Sequence, residues 1–336
     1  MRAMTLPSLD YDLFMRMTST LEELQLSHWT LSGRQFVKFL RACKRLSHLV
    51  FVAIEWTDPA LVDPQYHLQA VQGLTDLQLD ISVSKKDAFV DLIRSCPDLK
   101  RFSLYSESAD DARTLIPVLR ESCPKLMAIE YVARFSSALN GYDLLSDTEY
   151  SDLVLCSGRI ESLKVDIPCL DNAMTKALIT QSSTLTSLTL SFISLRSVPM
   201  IDAENICLIL RHCIRLRNLS LLFNPHSLGK NETLRIFDQP WSCVELETLE
   251  LTDVSMAMEH GSPSNDPQPP PLQLQPYQWR LGSAPQLIPI DGNRVIRYGS
   301  MTKQKLFQQV RMLPKLTRLS LNHITYSVDG FGSSSG

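Results

Sequence analysis

One short phrase recurs ten times in this chain: an aliphatic or aromatic residue, another three positions on, and a third two beyond that. No other feature restricts the possible folds as much. The phrase reads LEELQL from Leu21, LSHLVF from Leu46, LTDLQL from Leu74, LKRFSL from Leu99 and LMAIEY from Leu126. It continues as IESLKV from Ile160, LTSLTL from Leu185, LRNLSL from Leu216, LETLEL from Leu246 and LTRLSL from Leu316. Successive starts lie 25, 28, 25, 27, 34, 25, 31, 30 and 70 residues apart, so the 34 and the 70 mark insertions.

The fourth and sixth residues of each phrase share a parity, which places them on one face of an extended strand while the third, fifth and seventh face the other way. Between phrases the apolar period becomes helical, as in 33–44, 85–96, 110–123, 202–213 and 303–314. In the first of these, Phe36, Phe39, Leu40 and Cys43 line one stripe. Most intervals equal or slightly exceed the roughly 20–29 residues of a leucine-rich repeat. Strand then helix, repeated about ten times, predicts an α/β leucine-rich-repeat solenoid, a horseshoe with parallel strands on the inner wall and helices outside.

Five of the eight cysteines stand three residues before a phrase: Cys43, Cys96, Cys123, Cys213 and Cys243. A residue type held in one phase of a repeat stacks on itself, and free cysteine behaves as a small buried hydrophobe. No C-x-x-C pair or Cys/His cluster at zinc spacing is present, and a chain of 336 residues has core enough without disulfides. The pattern predicts reduced, packed thiols and a cytoplasmic or nuclear location.

The segments RSCPDLKRFSL (94–104), ESCPKLMAIEY (121–131), RACKRLSHLVF (41–51) and RHCIRLRNLSL (211–221) resemble the cysteine-containing repeats of F-box/leucine-rich-repeat proteins, including the many fungal ones, which are ribonuclease-inhibitor-like in shape. The resemblance spans roughly 20–325. It implies a substrate receptor of a ubiquitin ligase, in which an F-box docks the ligase adaptor and the solenoid holds the substrate. Only residues 1–20, which include Leu6-Pro7, precede the first phrase, too few for the helices of an F-box. The expectation is therefore either a partial reading of a longer gene or a repeat-only relative. The ninth repeat position departs from the consensus too: it reads Trp29, Ile54, Ser82, Glu107, Arg134, Pro168, Ile193, Asn224, Val254 and Ile324, with one asparagine in ten. No side-chain ladder can then satisfy the turn backbones, which predicts irregular turns.

The expected organisation is a flank or cap at 1–20, repeats over 21–254, a Pro-rich loop or disordered insertion at 255–300, a final repeat at 301–325 and a flexible tail at 326–336. The tail offers no polar capping helix, which points to truncation or to a partner covering that end. Residues 135–152 read as a surface loop that lengthens the fifth repeat. Pro267, Pro269, Pro270 and Pro271 could form a polyproline ligand, but no arginine flanks them, and a linker is the preferred reading. Net charge is −3, which gives no long-range attraction to nucleic acid or anionic membranes, and no apolar run approaches a membrane span.

No phosphate loop, dinucleotide fingerprint or nucleophile elbow occurs, so no catalytic residue, cofactor or metal site is assigned. The seven histidines are dispersed, although His28 and His48 could approach each other on adjacent strands. Function is then expected on the concave wall built by the outward strand positions. Candidate contacts are His48, Asp76, Gln78, Asp80, Arg101, Tyr105, Glu130, Lys164, Asp166, Glu250 and Arg318, with Tyr105, Arg101, His48 and Arg318 foremost by residue type. Trp29 and Trp56, just past their strands, read as core or rim packing rather than recognition. Across the thirty outward positions six are acidic and three basic, which predicts a protein partner with a basic or polar segment. The reading is of a non-enzymatic protein-binding scaffold, F-box-like and ubiquitin-linked, or alternatively one with no ubiquitin link.

Overall fold

The computed structural model describes residues 4–5, 16, 18–56, 71, 73–81, 86–134, 144–193, 203–223, 235–252, 255–257, 301–322 and 325–327. The ten phrases become ten strands: β2 (Glu23–Ser27), β4 (His48–Val52), β6 (Asp76–Ile81), β7 (Arg101–Ser106), β8 (Ala128–Ala133), β9 (Ser162–Ile167), β10 (Ser187–Phe192), β11 (Asn218–Leu222), β12 (Thr248–Thr252) and β14 (Arg318–Asn322). They form one open parallel sheet in chain order, with β2 and β14 at its edges. The register keeps the phrases in phase. Leu24, Leu49, Leu77, Phe102, Ile129, Leu163, Leu188, Leu219, Leu249 and Leu319 pair neighbour to neighbour in a single row. This is a leucine-rich-repeat horseshoe.

A one-residue slip would turn each strand's aliphatic residues to solvent, so burial fixes the register. A second device repeats beside it. The residue before each strand uses one carbonyl to accept two N–H groups from the next repeat; Glu22 takes Ser47 N at 2.8 Å and His48 N at 3.1 Å, and Arg217 takes Glu247 N at 2.7 Å and Thr248 N at 2.9 Å. Every junction between successive long strands has this fork. Hydroxyls reinforce it: Ser47, Thr75, Thr186 and Thr317 donate to the same carbonyls at 3.0–3.3 Å.

Helices at Gly33–Ala42, Lys86–Arg94, Ala109–Ser122, Ala203–His212 and Met301–Arg311 match the five expected from periodicity. Two more, Asp147–Val154 and Asn172–Thr180, were not anticipated. The first corrects the reading of 135–152 as a loop. Ser146 and Glu149 form a capping box that satisfies orphan donors at the helix start, and Tyr150, Leu153 and Val154 are buried. Tyr150 packs 6.4 Å from Tyr131, centroid to centroid, and donates to the Asp166 carbonyl at 3.0 Å. Residues 135–143 lie outside the described residues.

Between sheet and helices runs one continuous core, in which aromatic rings bridge repeats: Phe36 meets Phe51 at 5.3 Å, Phe51 meets Phe89 at 6.0 Å, and Phe192 stacks on Phe223 at 5.0 Å. The five phased cysteines are buried, and all eight cysteines are free. Burial lifts Cys43 and Cys243 to about 11 and Cys123 and Cys213 to about 12, and it raises Cys96 further. The sixth repeat fills this phase with Ser157, and in the seventh a buried Gln181 stands four residues before the phrase. Ser157 donates to the Leu126 carbonyl at 2.6 Å, and buried Gln181 accepts Ile160 N at 3.1 Å while donating to the Ser157 carbonyl at 2.9 Å.

Among the described residues, several turns after the strands are held by backbone hydrogen bonds. His28 and Ala53 adopt φ of 58° and 50° at the same repeat position, and their N–H groups reach Val52 O at 2.8 Å and Asp80 O at 3.1 Å. Farther along, Arg134 N reaches Ser106 O at 2.7 Å and Ile193 N reaches Ile167 O at 2.8 Å. Backbone from the adjoining repeat does what the consensus side chain would do. Beyond the turns, β1 (Met4–Thr5), β3 (Trp29–Leu31) and β5 (Glu55–Trp56) form a small parallel sheet, and β13 (Ser255–Ala257) pairs with β15 (Thr325–Ser327). The side chains of Trp29 and Trp56, the dipeptide Leu6-Pro7 and the prolines of 267–271 lie outside the described residues. β12 pairs directly with β14 although their phrases start 70 residues apart. Among the described residues no helix is long and apolar enough to cross a membrane.

Candidate functional site

Parallel pairing brings the outward residues of the ten strands into three rows. The first runs Glu23, His48, Asp76, Arg101, Ala128, Ser162, Ser187, Asn218, Thr248, Arg318. The second includes Gln78, Ser103, Glu130 and Lys164, and the third Asp80 and Tyr105. Neighbouring positions within a row are about 4.8 Å apart. The repeat therefore concentrates most of the candidate residues in β4 to β9. Glu250 and Arg318 stand apart: Glu250 accepts from Ser220 at 2.7 Å three strands beyond Lys164, and Arg318 is exposed on the edge strand.

Within β4 to β9 the charges are paired across strands. Asp76 holds the Arg101 guanidinium and lies 3.4 Å from His48 Nε2, which is in turn 3.2 Å from Arg101. Asp80 pairs with Arg134 at 2.8 Å, reaching across Tyr105, whose ring centre is 5.4 Å from the guanidinium carbon. Glu130 takes Lys164 Nζ at 2.6 Å and Ser103 Oγ at 3.2 Å.

The two signs differ in depth. Asp76, Asp80 and Glu130 side chains are 16%, 4% and 24% exposed, whereas Arg101, Arg134 and Lys164 are 62%, 50% and 48% exposed. Short carboxylates end near the sheet, and longer basic chains cross over them and keep their heads in water. Burial opposes ionisation of Glu130, but hydrogen bonds from Lys164, Tyr105 and Ser103 outweigh it and hold the carboxyl below its ordinary value. Tyr105 moves the other way, to about 12, through burial and its bond to Glu130. Asp166 accepts Ala133 N–H at 3.2 Å and a bond from Ser191, yet burial dominates and raises it.

Arg134 was absent from the sequence-derived wall because it lies past its strand. Its signal was present at the ninth repeat position, where an arginine replaces the consensus asparagine. The pairing of His28 with His48 is corrected: the register sets His48 against Glu23, and His28 bonds Val52, some five residues farther along, about 16 Å at strand rise.

One contact sequence has the order of a hydrolytic relay. Ser47 Oγ lies 2.8 Å from His48 Nδ1, and His48 Nε2 lies 3.4 Å from Asp76. Repeat phase gives the serine a structural role. Ser47 occupies the position at which Thr75, Thr186 and Thr317 also place a hydroxyl on the preceding repeat's carbonyl, so its hydroxyl belongs to the strand junction. The far imidazole nitrogen is shared with Arg101 as well. Among the described residues no group of three His, Cys, Asp or Glu side chains could hold a metal ion.

No family model matches the chain, and no curated protein matches it. Among solved structures it is similar to an internalin (inlF) from Listeria monocytogenes, at 15% identity over 93% of this chain and 72% of that one, with a TM-score of 0.42. It is also similar to TLR13 in complex with ssRNA13, at 15% identity over 94% of this chain and 43% of that one, with a TM-score of 0.36.

Proposed function

We propose that this chain is a non-catalytic scaffold that holds another protein against its concave wall. The observation that carries the reading is the wall itself: three rows of outward side chains, kept in register through ten parallel strands and polar over most of their length. A rigid array of this kind presents many preorganised contacts at low ordering cost, which suits recognition of an extended or folded protein surface. Eight free cysteines support a reducing compartment, the cytoplasm or nucleus.

The finer reading is a substrate receptor in ubiquitin-dependent degradation, or an F-box-less relative of one. Its support is the cysteine three residues before the phrase in five repeats, the trait shared with F-box/leucine-rich-repeat proteins. The other reading keeps the scaffold and drops the ubiquitin link. Affinity purification of the chain from its native source separates them: recovery of the ligase adaptor is expected from the first, and a protein partner with the adaptor consistently absent from the second. The division into flank, repeats, Pro-rich insertion, final repeat and tail belongs to the same proposal.

A further inference from the structure

Counting charges along the wall predicts attraction to a basic segment, but the arrangement in depth reverses the expectation where charge is densest. Each recessed carboxylate in β6 to β8 is covered by a longer cation from another repeat: Asp76 by Arg101, Asp80 by Arg134, and Glu130 by Lys164. The acids thereby lose access to an incoming cation, while each basic head keeps N–H donors toward solvent. A guanidinium holds five donors and an ammonium three, more than one carboxylate partner consumes. Tyr105, beneath the Arg134 guanidinium and bonded to Glu130, fills the floor between them. Arg101 and Lys164 stand on strands two apart, about 10 Å, a span matched by three residues of extended peptide.

Resting on the scaffold reading above, we infer that the β6 to β9 part of the wall docks an acidic, carboxylate-bearing segment of the partner protein, with Arg101, Arg134 and Lys164 as its donors. A basic segment is disfavoured at β6 to β8 because Asp76, Asp80 and Glu130 are already engaged, and displacing their cations would leave buried or half-buried charges exchanged rather than gained. A net charge of −3 keeps long polyanions off the molecule as a whole, so the attraction is local and short-ranged.

The test uses the full chain and fluorescent peptides of about twelve residues, alternating Glu-Gly, Lys-Gly or Ser-Gly, with a uridine dodecamer as a fourth probe, read by anisotropy. The Glu-Gly peptide is expected to bind, to weaken at least tenfold in Arg101→Ala/Lys164→Ala, and to weaken similarly as salt rises from about 0.05 to about 0.5 M. The charge-keeping variant Arg101→Lys/Lys164→Arg should stay within threefold of the parent chain. Tighter binding of the Lys-Gly peptide, equal binding of the uridine dodecamer, indifference to the alanine pair, or equal loss in the charge-keeping variant would each overturn the inference. Photo-cross-linking of a natural partner through Ser187 or Thr248 tests the scaffold reading separately. A cross-link there that persists in Arg101→Ala/Lys164→Ala sinks only the acidic-segment inference, whereas cross-links confined to the helices sink both.

Discussion

Leu163 and Lys164 are adjacent on β9 and should differ sharply when truncated. Leu163 is 1% exposed and pairs with Ile129 on one side and Leu188 on the other, in the middle of the ten-stranded row. Alanine removes three carbons, worth roughly 2.4 kcal/mol at about 0.8 kcal/mol each. The residual cavity adds to this, which places the total at about 2.5–5 kcal/mol. Lys164 is 48% exposed and contributes one ion pair to Glu130, and exposed pairs are worth about 0.2–1 kcal/mol. Urea denaturation followed by circular dichroism reads the difference. With a slope of about 3 kcal/mol per molar, Leu163→Ala should lower the midpoint by about 1 M or more, and Lys164→Ala by less than about 0.3 M. Because repeats stabilise only their neighbours, hydrogen exchange should rise first in 128–133 and 187–192. Equal midpoint shifts for the two variants would refute the inward and outward assignment.

Three further outcomes follow from particular contacts. Gln181→Ala strands the buried Ile160 N–H and Ser157 carbonyl, and should cost about 2–4 kcal/mol in the same denaturation assay, at about 1–3 kcal/mol per unsatisfied group. Native-state alkylation at pH 8 should label the half-exposed Cys169 before Cys43, Cys96, Cys123, Cys213 and Cys243, whose burial suppresses the thiolate; rapid labelling of all six without denaturant would contradict the packing. Asp166 has its folded value raised by burial, so its charged form costs stability above that value, and the cost disappears as pH falls through it. Asp166→Asn keeps an acceptor for Ala133 N–H and should match or exceed the parent at pH 7, with the difference closing toward pH 3; a variant clearly less stable at neutral pH would show that the charge itself is favourable.

The strand positions were legible because burial allows one parity: with Leu24, Leu49 and Leu77 stacked, the partners of His48 and Asp76 follow by counting. The helices at 33–42 and 203–212 were legible from stripes of three or four apolar residues. The helix at 147–154 was not, since Tyr150, Leu153 and Val154 are all the apolar signal among acids, and its start depends on a capping box. Depth on the wall was also hidden. Composition counts Asp80 and Arg134 as opposite charges at unrelated repeat positions, and only folding shows the arginine reaching over Tyr105 to cover a carboxylate that is 4% exposed. Repeat phase, in contrast, resolved what proximity alone would confuse: Ser47, His48 and Asp76 touch in catalytic order, yet the serine serves the strand junction.

On the proposed reading a partner is held on the concave wall. A photo-reactive amino acid introduced at Thr189, in the second row of the wall, and separately at Lys176, on the exposed side of the helix Asn172–Thr180, tests this most directly in the chain expressed in its native source. Cross-linking of a protein partner from Thr189 and not from Lys176 is the predicted result. Cross-linking from Lys176 alone would place recognition on the outer helices and contradict the account.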